Sequence, residues 1–108
     1  MKNNQININN YYQLNQFQNS LNLKVISNRN FNNEMIDYGI NIINKAYNLM
    51  NNRNDITKYI TDSFDSKYPQ KGKQWSCFIL PLSYTGCWFY SCYLIWYYTE
   101  KEKILIFA

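Results

Sequence analysis

The sequence predicts an α+β fold in which two amphipathic helices pack on an antiparallel sheet of four to five strands. Three observations predict it. Apolar residues recur at three- and four-residue steps through 35–50, a second such stripe runs through 56–64, and an aromatic, β-forming run fills the last third. The order of strand, two helices and then strands is that of a layered α+β arrangement. With 108 residues the chain has the length of one domain.

Residues 1–22 are dominated by Asn and Gln, with Leu14, Phe17 and Leu21 spaced as one turn of amphipathic helix. Such a segment cannot bury enough apolar surface to offset its ordering entropy, so it reads as a disordered tail or a partner-docking arm ahead of a domain over 23–108. The stretch LNLKVIS, 21–27, reads as a short edge strand. In the first helix Met35, Gly39, Ile42, Ile43, Ala46, Tyr47 and Met50 form one stripe, with Asn32 as N-cap and Phe31 placed to staple against Ile36. NNRN interrupts the stripe. The second helix takes Asn54 as its cap and Asp55 in its first turn, and carries Ile56, Tyr59, Ile60 and Phe64 on one face. It ends at Tyr68, because the residue before Pro69 is pushed out of the helical region.

No charge falls between Lys73 and Glu100, so the run CFILPLSYTGCWFYSCYLIWYY is long enough to cross a bilayer core of ~30 Å as a helix. Its chemistry argues for strands. A spanning helix is aliphatic at its centre and carries Trp or Tyr at its ends, whereas here the centre, LSYTGC, is the most polar third and aromatics occupy every part. Pro81 and Gly86 punctuate it as turn residues. The run divides into strands over 75–80, 86–91 and 93–99; EKEK then turns the chain into a last strand, 104–107.

Composition excludes several functions. The net charge of +4 is spread along the chain with no basic block, unlike a nucleic-acid footprint. Cys77, Cys87 and Cys92 are odd in number, sit in apolar runs and lack metal-binding spacing, so they read as buried, reduced thiols of a cytosolic protein. The N-terminus has no apolar core of the secretory kind, which favours an intracellular location. There is no histidine for acid–base work, and Glu34, Asp37, Asp55, Asp62 and Asp65 read as caps or solvated helix faces. No enzyme, cofactor or metal is expected.

In a strand through 93–99, Leu94, Trp96 and Tyr98 point to one side and Ile95 and Tyr97 to the other. Both sides are apolar. Two helices cover one, and the chain has nothing left for the second. An uncovered face holding Trp88, Trp96 and Tyr98 exceeds what a monomer usually exposes. At ~25 cal/mol per Å², hiding ~150–250 Å² for each large aromatic yields several kcal/mol, which a second subunit could supply. A two-fold dimer is the commonest form.

The block DITKYITDSFDSKY, 55–68, followed by Trp75-Ser76-Cys77 and closed by IWYY and ILIF, resembles the eight-kilodalton dynein light chain family. There the second helix reads like D-I-A-x-Y-I-K-x-E-F-D-x-K-Y, followed by W-H-C, an aromatic strand and an I-L-L-F-type strand. The resemblance covers about 25–107. It implies a non-catalytic dimer that exchanges a strand between subunits and binds an extended partner segment as an added β-strand. Expected partners are dynein intermediate chains and another light chain of the same family, in a homo- or heterodimer, with no nucleic acid and no membrane. The implied peptide groove comprises Asn28, Thr85, Gly86, Cys87, Trp88, Phe89, Trp96 and Tyr98, and the implied dimer interface Ser76, Trp88, Phe89 and Tyr90.

Where the family's pairing strand reads F-G-S-Y-V-T-H-E, this chain has SYTGCWFYS, which keeps a glycine but replaces the polar contacts with Cys87, Trp88, Phe89 and Tyr90. Ser76 stands in place of a histidine. With the N-terminal extension, these departures suggest a light chain dedicated to one assembly, such as a ciliary or axonemal outer-arm dynein, in the cytoplasm and cytoskeleton. The alternatives are a general dimerisation hub, an aromatic sheet that stacks nucleic-acid bases, and a membrane-anchored protein.

Overall fold

The computed structural model describes residues 21–85 and 91–108. The elements run β1 (Lys24–Arg29), α1 (Asn33–Leu49), α2 (Arg53–Lys67), β2 (Ser76–Pro81), β3 (Leu94–Tyr98) and β4 (Glu102–Phe107). Among the described residues the strands form one antiparallel-paired sheet in the order β1-β3-β4-β2, with both helices on one face, which is the predicted α+β layering. The tail expected over 1–22, up to residue 20, and the strand expected over 86–91, up to residue 90, lie outside the described residues.

Helix α1 starts at Asn32, whose Oδ1 accepts from the Met35 amide at 2.9 Å, as an N-cap should. Its buried stripe is Met35, Gly39, Ile42, Ile43 and Ala46. Phe31 is buried, with its ring against Phe64, Trp75 and Tyr93. Helix α2 corrects one expectation: its cap is Asn52, and Asn54 lies within the helix. The reason is reciprocal bonding. Asn52 Oδ1 accepts from the Asp55 amide at 2.9 Å while Asn52 Nδ2 donates to the Asp55 carboxylate at 3.0 Å, a reciprocal pair for which Asn54, followed three residues later by Thr57, has no carboxylate. The helix ends at Tyr68, as Pro69 requires.

The strands shift from their predicted bounds for physical reasons. β1 begins at Lys24 because Leu21 and Leu23 pack on the core, with the Leu21 amide bound to Asn44 Oδ1 of α1 at 2.6 Å. It runs on to Arg29, opposite Leu94 of β3. Its register slips between Val25 and Ser27, a bulge that leaves Ile26 56% exposed. β4 begins at Glu102, two residues earlier than predicted, where the Thr99 amide donates to Glu102 O at 2.8 Å and closes the hairpin. The link after α2 turns through Gly72, whose φ of 78° suits glycine.

The core lies between the helices and the sheet, centred on Ile43, Ile60, Phe64, Ile95, Tyr97, Ile104 and Ile106, all fully buried. Ile95 and Tyr97 face the helices as alternation predicts. The opposite face is less bare than expected: Leu94, Trp96 and Tyr98 are half-buried and Leu105 is fully buried. Its side chains tile one another. Phe78 and Phe107 meet edge-on at 5.7 Å, Lys103 lies over the Tyr98 ring at 5.2 Å, and Leu105 stands between its ladder neighbours Phe78 and Trp96.

Candidate functional site

Strands β1 and β2 are the two edges of the sheet, and they differ. β1 carries Lys24, Arg29 and the bulge, devices that blunt an edge against further pairing. β2 has six consecutive residues in register with β4, from Ser76 opposite Phe107 to Pro81 opposite Glu102, and no described strand on its other side. Cys77 faces the core, while Phe78, 44% exposed, lies on the outer face with Leu105. Leu82, just past the strand, is 42% exposed. An in-register edge with exposed apolar side chains is the geometry an added strand requires.

Both β2 and β3 run antiparallel to β4, so they are parallel to each other with β4 between them. The connection over 82–93 therefore starts at the Glu102 end of β4 and returns at its Phe107 end. Parallel strands need such a crossover. Its first turn is fixed by the Tyr84 amide, which donates to Pro81 O at 3.0 Å, and by Lys103 Nζ, which donates to Tyr84 O. Its return is held by Arg29 Nη1, donating to Ser91 O at 2.9 Å, and by Asn30 Nδ2, donating to Cys92 O at 2.6 Å. No local pattern points to Arg29 and Asn30, which act across 62 positions.

Of the predicted groove residues, Trp96 and Tyr98 share the outer face of β3, where Tyr98, Lys24 and Leu82 border a cleft of about 400 Å³. Asn28 is exposed on β1, opposite Ile95. Ser76, predicted at the dimer interface, is half-buried at the start of β2. Asn28 and Ser76 thus occupy opposite edges, three strand spacings of ~4.8 Å apart, and a single chain does not bring them into one groove. Thr85 is exposed, and Gly86, Cys87, Trp88, Phe89 and Tyr90 lie outside the described residues.

Two readings need correction. Cys92 is exposed rather than buried, because it lies in the return segment before β3 and not on the core face. Lys103 stands among the outer aromatics, not in a turn, because β4 begins before it; its ammonium is committed to Tyr84 O and the Tyr98 ring. Cys77 is buried as expected, and burial pushes its thiol up to about 12. That is the environment of an inert thiol. Among the described residues, no group of three or more His, Cys, Asp or Glu is placed to hold a metal, and no helix is long and apolar enough to cross a membrane.

The residues that carry the family likeness build the joint between α2 and β2. The Asp65 carboxylate accepts from the Trp75 amide at 2.8 Å, and the Trp75 indole donates to Tyr68 O, at the end of α2, at 2.7 Å. Phe64 packs on Trp75 at 4.9 Å, and Tyr38 meets both Phe64 and Tyr68 edge-on. No protein-family model matches the chain, and no curated protein matches it by sequence. Solved structures do. A mercury derivative of the dynein light chain-like domain of the calcium binding protein FhCaBP2 from Fasciola hepatica superposes with a TM-score of 0.63 at 16% identity, over 80% of this chain and 90% of that one. A native form of the same domain gives 0.64 at 16% identity, over 82% and 91%. The fold is dynein light chain-like. In a dynein light chain-like fold of this strand order, the in-register β2 edge and the outer face beside it form the surface left open by the helices.

Proposed function

We propose that the chain is a non-catalytic light chain of a dynein motor complex, which dimerises with itself or a related light chain and binds an extended segment of an intermediate chain as an added β-strand. The observation that carries this reading is the β2 edge, in register over Ser76–Pro81 and flanked by exposed Phe78 and Leu82. The parallel placement of β2 and β3 supports strand exchange. Added-strand binding draws affinity from main-chain hydrogen bonds, which tolerate changed side chains, whereas the pockets set selection. The departures around Cys87–Tyr90 therefore point to a client segment unlike the family's usual glutamine-containing one. A dedicated role in a ciliary or axonemal outer arm follows from those departures and the N-terminal extension.

The test has two steps. Light scattering on the purified chain, alone and co-expressed with a related light chain, should give a two-subunit species. Titration of that species with synthetic intermediate-chain segments should then show saturable binding that is lost when Phe78 is replaced by Asp. A chain that stays single in both settings, or a pair that binds no segment, would overturn the proposal.

A further inference from the structure

We infer that Asp65 and Pro81 are positioning residues that close the two ends of the β2 edge, so that an added segment bonds to Cys77 and Ile79 alone and is selected by the side chain it sets opposite Phe78. The inference rests on the added-strand reading above and states where on that edge the segment lies. Alternation along β4 decides which backbone groups are offered. The Thr99 amide donates to Glu102 O, and Ala108 exchanges both backbone hydrogen bonds with Tyr93, so Glu102, Ile104, Ile106 and Ala108 aim their main-chain groups at β3. Lys103, Leu105 and Phe107 then aim theirs at β2, where they meet Leu80, Phe78 and Ser76. The alternate residues of β2, Cys77, Ile79 and Pro81, therefore turn their main-chain groups away from β4, toward the side on which no described strand lies.

Both ends of that row are shut. Trp75, two positions before Cys77, has its amide bonded to the Asp65 carboxylate of α2 at 2.8 Å. Pro81 has no amide to donate, and its carbonyl accepts from the Tyr84 amide at 3.0 Å. Among the described residues, what stays open between them is the amide and carbonyl of Cys77 and of Ile79. A strand laid antiparallel, the more stable sense, places one residue opposite each and exchanges both bonds with it. The residue between those two lies opposite Phe78, with its side chain on the outer face beside a ring that is 44% exposed. Cross-strand pairing of that kind favours an aromatic or β-branched residue. The footprint is short, and its centre calls for one apolar side chain.

The test uses the two-subunit species and the synthetic intermediate-chain segment that binds it. Amide hydrogen exchange read by NMR should show Cys77 and Ile79 exchanging readily before the segment is added and protected after it, with Trp75, Phe78 and Leu80 protected throughout. Replacing single peptide bonds of the segment by esters should weaken binding about fivefold at two alternate positions and nowhere else, the loss of one hydrogen bond each. The variant Pro81→Ala supplies an amide at the closed end, and the segment's protection should spread to position 81. A bound segment that leaves Cys77 and Ile79 unchanged, or ester losses spread evenly along it, overturns the footprint and leaves the added-strand reading standing. So does protection of Cys77 and Ile79 before any segment is added, which would give this edge to the second subunit. An amide at position 81 that stays unprotected overturns the role of Pro81. If no segment binds, the added-strand reading fails and the footprint falls with it.

Discussion

Gly39 sits where the phenol of Tyr97 crosses helix α1, and a methyl group placed there would overlap the Tyr97 hydroxyl. The close approach lets Tyr97 Oη donate to Ile36 O at 2.8 Å, so a strand residue is bonded directly to the helix backbone. Gly39→Ala should cost about 1–3 kcal/mol by overpacking, although alanine is the better helix former. Tyr97→Phe should cost about 1 kcal/mol, the net worth of one hydrogen bond. Urea unfolding of both variants checks these values, and a stabilised Gly39→Ala chain would show that the ring can move aside. The sequence placed Gly39 on the buried stripe and Tyr97 on the helix face, yet nothing in their spacing of 58 positions announced that they meet.

The helices were legible because their signals are local. The apolar stripes, the Asn32 cap and the stop before Pro69 all act within a few residues. The start of α2 was misplaced because three asparagines, Asn51, Asn52 and Asn54, offer similar caps, and only the return bond from Asp55 selects among them. Asn52→Ala should therefore lower stability by about 1 kcal/mol, while Asn54→Ala, inside the helix and exposed, should be close to neutral. Thermal melting separates the two; equal losses would mean that the Asn52 cap contributes nothing. Strand bounds were less legible, since Glu102 joins β4 through contacts from distant elements. Its carboxylate accepts from Tyr47 of α1 and from Arg53 of α2, each at 2.6 Å. The candidate site was legible in part: alternation put Trp96 and Tyr98 on the outer face, but the exposure of Phe78 and Leu82 depends on strand order, which local patterns do not encode.

For the molecule as a whole, burial raises the pKa of several groups at once and so holds back their ionisation. Cys77, ordinarily near 9.0, is pushed up to about 12 by burial, and Tyr97 and Tyr47 are raised chiefly by the same cause. In the unfolded chain these groups lose their protons at ordinary values, while in the folded chain they hold them. Stability should thus be intact below about pH 9 and fall as the pH rises through about 12. Cys77→Ala should flatten the first part of that decline in unfolding midpoints measured from pH 7 to 11. The absence of histidine has the opposite signature: association measured from pH 7 down to 5 should stay nearly level, and a steep loss there would refute the expectation. The bulge at Val25 and Ser27 carries a consequence for growth. Among the described residues a sheet kinked along one margin and straight along the other offers a neighbour a single direction of approach, so any edge-to-edge addition should stop at a closed pair instead of propagating into a fibre.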